Sequence, residues 1–141
     1  MTLETSRKIL KVVGIIGIIF GVLAILIGLL IFGGGPLMQQ NGISFTAEEL
    51  DMMGFTGIVI LVLGLIFVLE GIFSVRAAND FSKIMPAWIF AILGLIFNTV
   101  GAVWNNINGA DGKTIANAAF SIALSILVLA AANRIKKSVR K

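Results

Sequence analysis

Residues Val12 to Phe32 carry no polar side chain. A helix needs about 20 such residues to cross the ~30 Å of hydrocarbon in a bilayer. Three more runs come close to that standard. Met53 to Val75 is broken only by Thr56, Glu70 and Ser74, Ile84 to Trp104 only by Asn98 and Thr99, and Ile115 to Asn133 by Asn117, Ser121, Ser125 and the closing Asn133. Inside lipid every backbone N–H and C=O must find its partner within the segment, so runs of this kind are helices. The chain is 58% hydrophobic and 13% charged. Soluble domains hold nearer half and a quarter, so a water-soluble domain of this length could not hide so much apolar surface.

These runs predict an all-α fold: a single integral-membrane domain over 1–141, with spans 12–32, 53–75, 84–104 and 115–133 and a basic cytoplasmic tail at 134–141. The short connections make it an antiparallel, up-down-up-down four-helix bundle. The first run is too long for the apolar core of a cleavable signal. Gly33, Gly34, Gly35 and Pro36 read as its stop. Thr46 to Glu49 has the form of a capping box, which starts the second helix near Ala47. Asn105 to Gly112 reads as a polar turn. Trp88 and Trp104 stand near opposite ends of the third span, where amphipathic rings favour the interface.

Charge sets the expected orientation. Arg7, Lys8 and Lys11 precede span one, Arg76 and Lys83 lie between spans two and three, and Arg134, Lys136, Lys137, Arg140 and Lys141 follow span four. Of the 11 basic residues only Lys113 falls on the other side, with Glu48, Glu49, Asp51 and Asp111. Positive residues stay in the cytoplasm, so both termini are expected there, in the cytoplasmic membrane of a bacterium. The tail is expected to rest on anionic headgroups. It has no interleaved aromatic residue, so nucleic acid is not an expected partner.

Small residues recur with a heptad rhythm. Span one has Gly14, Gly17, Gly21, Ala24 and Gly28; span two has Gly54, Gly57, Gly64 and Gly71; span three has Ala87, Ala91, Gly94, Asn98, Gly101 and Asn105; span four has a weaker row at Thr114, Ala118, Ser121, Ser125 and Ala132. Lipid is as apolar as leucine, so membrane helices are drawn together by close approach at small residues rather than by burial. A repeat of 3.5 residues keeps such a row facing its partner in a left-handed bundle. The rows are assigned to packing within the monomer, with a homo-oligomer interface as the competing use.

Glu70 is the only ionisable group inside a span. It lies roughly 7 to 8 Å from the end of its run, close enough to reach the interface or pair with Lys11 or Arg134, or else to serve as a coupling-ion or proton site. Asn98 and Ser121 each fall ~18–20 Å from the inner edge of their spans, so they are expected to face each other and hydrogen bond. Cysteine and histidine are absent, as is tyrosine. That removes thiolate metal sites, disulfides, the commonest metal ligand and the commonest general base. No catalytic residue, metal ligand or cofactor is expected. Gly112-Lys113-Thr114 looks like the end of a phosphate loop but lacks the earlier glycine and the preceding strand. The stretch Asn106 to Gly112 lacks the spacing and closing Glu of a calcium loop.

The stretch "RAANDFSKIMP", Arg76 to Pro86, is similar to the Arg-Ala-x-x-Asn-Asp…Pro stretch of the four-helix membrane enzymes of eicosanoid and glutathione metabolism. The other arginines, histidines and tyrosines of those enzymes have no counterpart here. In layout, with inside termini, a glycine-rich first helix and a basic tail, the chain resembles the small four-span bacterial membrane proteins of unknown function. The expected role is non-enzymatic: an accessory, assembly or immunity-type protein acting through helix-face contacts with another membrane protein or with lipid. The alternative is a small oligomeric transporter or channel using Glu70.

Overall fold

A computed structural model describes residues 1–109 and 111–140; Lys141 of the basic tail, and Ala110 of the turn before the fourth span, lie outside them. The described chain is all-helical. Its elements are α1 (Leu3–Gln40), α2 (Ala47–Asn79), a 3₁₀ turn (Phe81–Lys83), α3 (Ile84–Ile107) and α4 (Gly112–Val139). All four α-helices are long and apolar enough to cross a membrane.

The helix ends follow from local chemistry. α1 does not stop at Gly33–Pro36 but runs through Pro36 to Gln40. Its stop is Asn41-Gly42, which closes a Schellman motif: the Ile43 amide donates to the Met38 carbonyl (3.1 Å) and the Gly42 amide to that of Gln39 (3.2 Å). Gly42 takes φ +89°, a left-handed conformation that side chains with a Cβ rarely adopt. α2 opens with a reciprocal capping box. The Glu49 amide donates to Thr46 Oγ1 (3.1 Å), and the Thr46 amide donates to Glu49 Oε2 (2.8 Å). The 3₁₀ turn is capped by Asp80, whose carboxylate accepts from the hydroxyl and amide of Ser82. α4 is capped by Asp111, which accepts from the Thr114 amide (2.9 Å). The basic stretch from 134 is not a separate tail: α4 continues to Val139, with Ile135 fully buried.

Packing gathers the chain into two compact units. The first comprises Met1–Gly14 and Phe73–Lys141 and draws on all four helices. Its core is Leu10 of α1, Ala77 and Ala78 of α2, Ile84, Ala87 and Ala91 of α3, and Val128, Ala131, Ala132 and Ile135 of α4. The many alanines let helix axes approach closely, which is where dispersion contacts are gained in a membrane. Phe73 and Phe90 stack at its margin with ring centroids 5.6 Å apart.

The second unit, Ile15–Ile72, holds parts of α1 and α2 as a helical hairpin. Its helices meet backbone to backbone. A Cβ placed on Gly21 would come 2.7 Å from the Gly64 carbonyl oxygen, and one on Gly64 2.8 Å from that of Gly21. Gly28 and Gly57 repeat the arrangement one heptad away, each 2.8 Å from the other's oxygen. Isoleucine, leucine and phenylalanine cover the outer faces: Phe20, Leu30 and Phe55 are among the most exposed residues.

Candidate functional site

The face of α3 that carries Ala87 and Ala91 into the core continues towards the other end of the helix as Asn98, Gly101, Ala102 and Asn105. α4 presents Thr114, Asn117, Ala118 and Ser121 beside them. Both sets have the i, i+3, i+4, i+7 spacing of one helix face. Burial falls along the pair. Ala87, Ala91 and Val128 are buried, Asn98 and Ser121 are half-buried, and Gly101, Asn105 and Asn117 are exposed. The side chains here are too small or too short to fill the gap. They leave a groove of about 250 Å³ lined by these residues and Phe97.

The floor of the groove is a hydrogen bond from Asn98 Nδ2 to Ser125 Oγ (2.6 Å). The expected partner, Ser121, lies one turn further along α4 on the groove wall. The difference is one of register. The expectation placed Met85 level with Asn133, whereas Trp88 Nε1 donates to Asn133 Oδ1 (2.5 Å). With Trp88 level with Asn133, Asn98 stands opposite a point between Ser121 and Ser125, and its amide takes Ser125. Ser125 stood in the fourth row of small residues, but depth alone did not single it out. Asn117 was legible only as a polar break in its span. Its spacing from Thr114, Ala118 and Ser121 is the signal that places it on the groove.

No ionisable side chain lines the groove. Each asparagine offers two N–H donors and a carbonyl acceptor, and each hydroxyl one donor and two acceptor lone pairs. The groove can therefore hold a polar, uncharged surface by hydrogen bonds. It has no acid–base pair and no activated nucleophile. Among the described residues no cluster of acidic, histidine or cysteine side chains could hold a metal ion.

The remaining singled-out residues are spread over both units. Gly14 is buried in the first, and Gly17 and Gly71 meet in the second, where a Cβ on Gly17 would lie 3.7 Å from Gly71 Cα. Gly94 is half-buried on α3. Gly101, expected on a packing row, instead has nothing within 4 Å of where its Cβ would stand, because α3 and α4 have parted into the groove at that level. Glu70 is half-buried on α2 beside Gly71. It lies nine residues from the end of that helix at Asn79, ~13–14 Å along the axis.

The fold and groove place the chain in the class of multi-pass, all-helical proteins with four helices able to span a bilayer. No family model, curated protein or solved structure matches it.

Proposed function

We propose that this chain is a non-enzymatic multi-pass protein of a bacterial cytoplasmic membrane, with its basic ends in the cytoplasm. It acts as an accessory, assembly or immunity-type subunit by docking a helix of another membrane protein along the α3–α4 groove. The observation that carries this reading is the pair of exposed amides at Asn105 and Asn117, beside Gly101 and Ala118, on helices apolar enough to lie in lipid. Acyl chains offer Asn117, inside the fourth apolar run, no hydrogen-bond partner, and a polar group buried without one costs roughly 1–3 kcal/mol in proteins; Asn105 stands beside it at the start of the polar turn. A partner helix carrying hydroxyls or amides satisfies them and gains close packing at Gly101 and Ala118.

The test is isolation of the chain from its native membrane in mild detergent. Asn105→Leu combined with Asn117→Leu is expected to lower the yield of the co-isolated membrane protein about tenfold, the equivalent of roughly 1.4 kcal/mol. Phe120→Leu, a change at an exposed side chain outside the groove, is expected to leave the yield unchanged. Equal yields from all three proteins would refute docking at the groove.

A second reading draws on Glu70. A carboxyl roughly 7 to 8 Å inside its apolar run suits ion or proton movement through an oligomer. If that reading holds, proteoliposomes of the wild-type chain carry an ion or proton flux that Glu70→Gln abolishes. Absence of flux, or flux that persists in the variant, removes it.

A further inference from the structure

At the opposite end of the first unit from the groove, the structure gathers basic residues that are scattered in the sequence. Lys11 follows the buried Leu10, Arg76 precedes Ala77, Lys83 precedes Ile84, and Arg134 and Lys136 flank Ile135. Leu10, Ala77, Ile84 and Ile135 are at most 2% exposed and belong to one core cluster. That core levels the four helices, so the cations beside it form a collar at a common height around the end of the bundle. The same height is where the apolar runs begin or end: Lys11, Arg76, Lys83 and Arg134 are each one residue outside a run, about 1.5 Å along the helix axis.

Among the described residues, only Lys83 of these cations has a carboxylate partner within the unit. Of its carboxylates, Glu4 is held by Lys8 (2.9 Å), Asp80 by Lys83 (3.4 Å) and Ser82, and Asp111 caps the far end of α4. Lys136 lies back over the Trp88 ring, its Nζ 3.0 Å from the centroid, while the indole N–H donates to Asn133. A tryptophan with an apolar body and an anchored polar edge belongs at the boundary between acyl chains and headgroups. Desolvation against its neighbours, and then repulsion from Arg140, hold the Lys136 ammonium below the usual lysine range. An anion at this place offsets both by attraction.

We propose that this collar is a binding site for the phosphate groups of anionic phospholipids, formed jointly by all four helices rather than by the basic stretch of α4 alone. Phosphate suits it because lysine and arginine both bind phosphate oxygens by charge-assisted hydrogen bonds. The bilayer presents that group at the height of the collar.

The test uses the whole chain in mild detergent, with Trp104→Phe leaving Trp88 as the only indole, and follows its emission during titration with phosphatidylglycerol. A saturable spectral change is expected that high salt suppresses. Phosphatidylcholine and inorganic phosphate at the same concentrations are expected to give none. Each cation near an anionic surface contributes a factor of roughly five, so Lys11→Gln with Arg76→Gln is expected to raise the lipid midpoint about 25-fold. Lys113→Gln, the same loss of charge at the far end of α4, leaves it unchanged. Should the double variant lose helicity, Lys11→Gln alone reads the effect as a shift of about fivefold. An equal response to phosphatidylcholine overturns the proposal, as does an equal response to inorganic phosphate. So does an unchanged midpoint in folded collar variants. Displacement of the lipid by a short DNA duplex at lower concentration reassigns the collar to nucleic acid and overturns it too.

Discussion

For single residues, the space available to one methyl group separates the glycines of this chain. At Gly21 the position of a Cβ is 2.8 Å from the backbone nitrogen of Val68, and at Gly57 it is 2.7 Å from that of Phe32. Backbone cannot swing aside as a side chain can, so the helices themselves must part. Gly21→Ala and Gly57→Ala are each expected to destabilise the hairpin by about 1–3 kcal/mol, and Gly64→Ile by more. Gly101 sits in a helix with open space around it. There, alanine removes the entropic penalty of glycine and is expected to stabilise by about 0.5–1 kcal/mol. Chemical unfolding in detergent, compared across the four variants, checks both signs. Neutral changes at Gly21 and Gly57 would mean that α1 and α2 do not meet as described.

For the elements, caps decide where helices begin and loops turn. Hydrogen bonds from Ser82 hold the Asp80 carboxyl below the usual carboxylate range, and those from Thr114 do the same for Asp111. A lowered native pKa means that the cap stabilises at pH values above the ordinary carboxylate pKa. That stabilisation is lost as the pH falls through the lowered value. Hydrogen exchange at the Ser82 and Thr114 amides is therefore expected to accelerate only on acidification below about pH 4, once base-catalysed chemical exchange is corrected for. Asp80→Asn and Asp111→Asn should flatten that dependence.

The helical class, the four spans and the Thr46–Glu49 start of α2 were legible because apolar length and capping chemistry are local. The end of α1 was not. Gly33 to Pro36 has the composition of a stop, but α1 runs through it and none of its three glycines takes a positive φ. The left-handed turn comes only at Gly42. The partner of Asn98 was hidden for a different reason. It depends on how α3 and α4 slide past each other, which the Trp88–Asn133 bond fixes and no single helix encodes.

For the whole molecule, one half of the α3–α4 pair is closed by alanines and the other is left open by amides. This division of labour follows from side-chain volume and polarity, and it supports the reading of the open half as a surface for another protein. The sequence contains no cysteine, so a single introduced thiol is a unique attachment point. The most direct measurement is photocrosslinking in native membranes from a benzophenone attached at Gly101→Cys, compared with Ile96→Cys, which is exposed on α3 outside the groove. One discrete adduct with a second membrane protein is expected from position 101, abolished when Ala118→Trp fills the groove, and none from position 96. Equal adducts from both positions, only lipid adducts from position 101, or an adduct of twice the chain's mass would contradict docking at the groove.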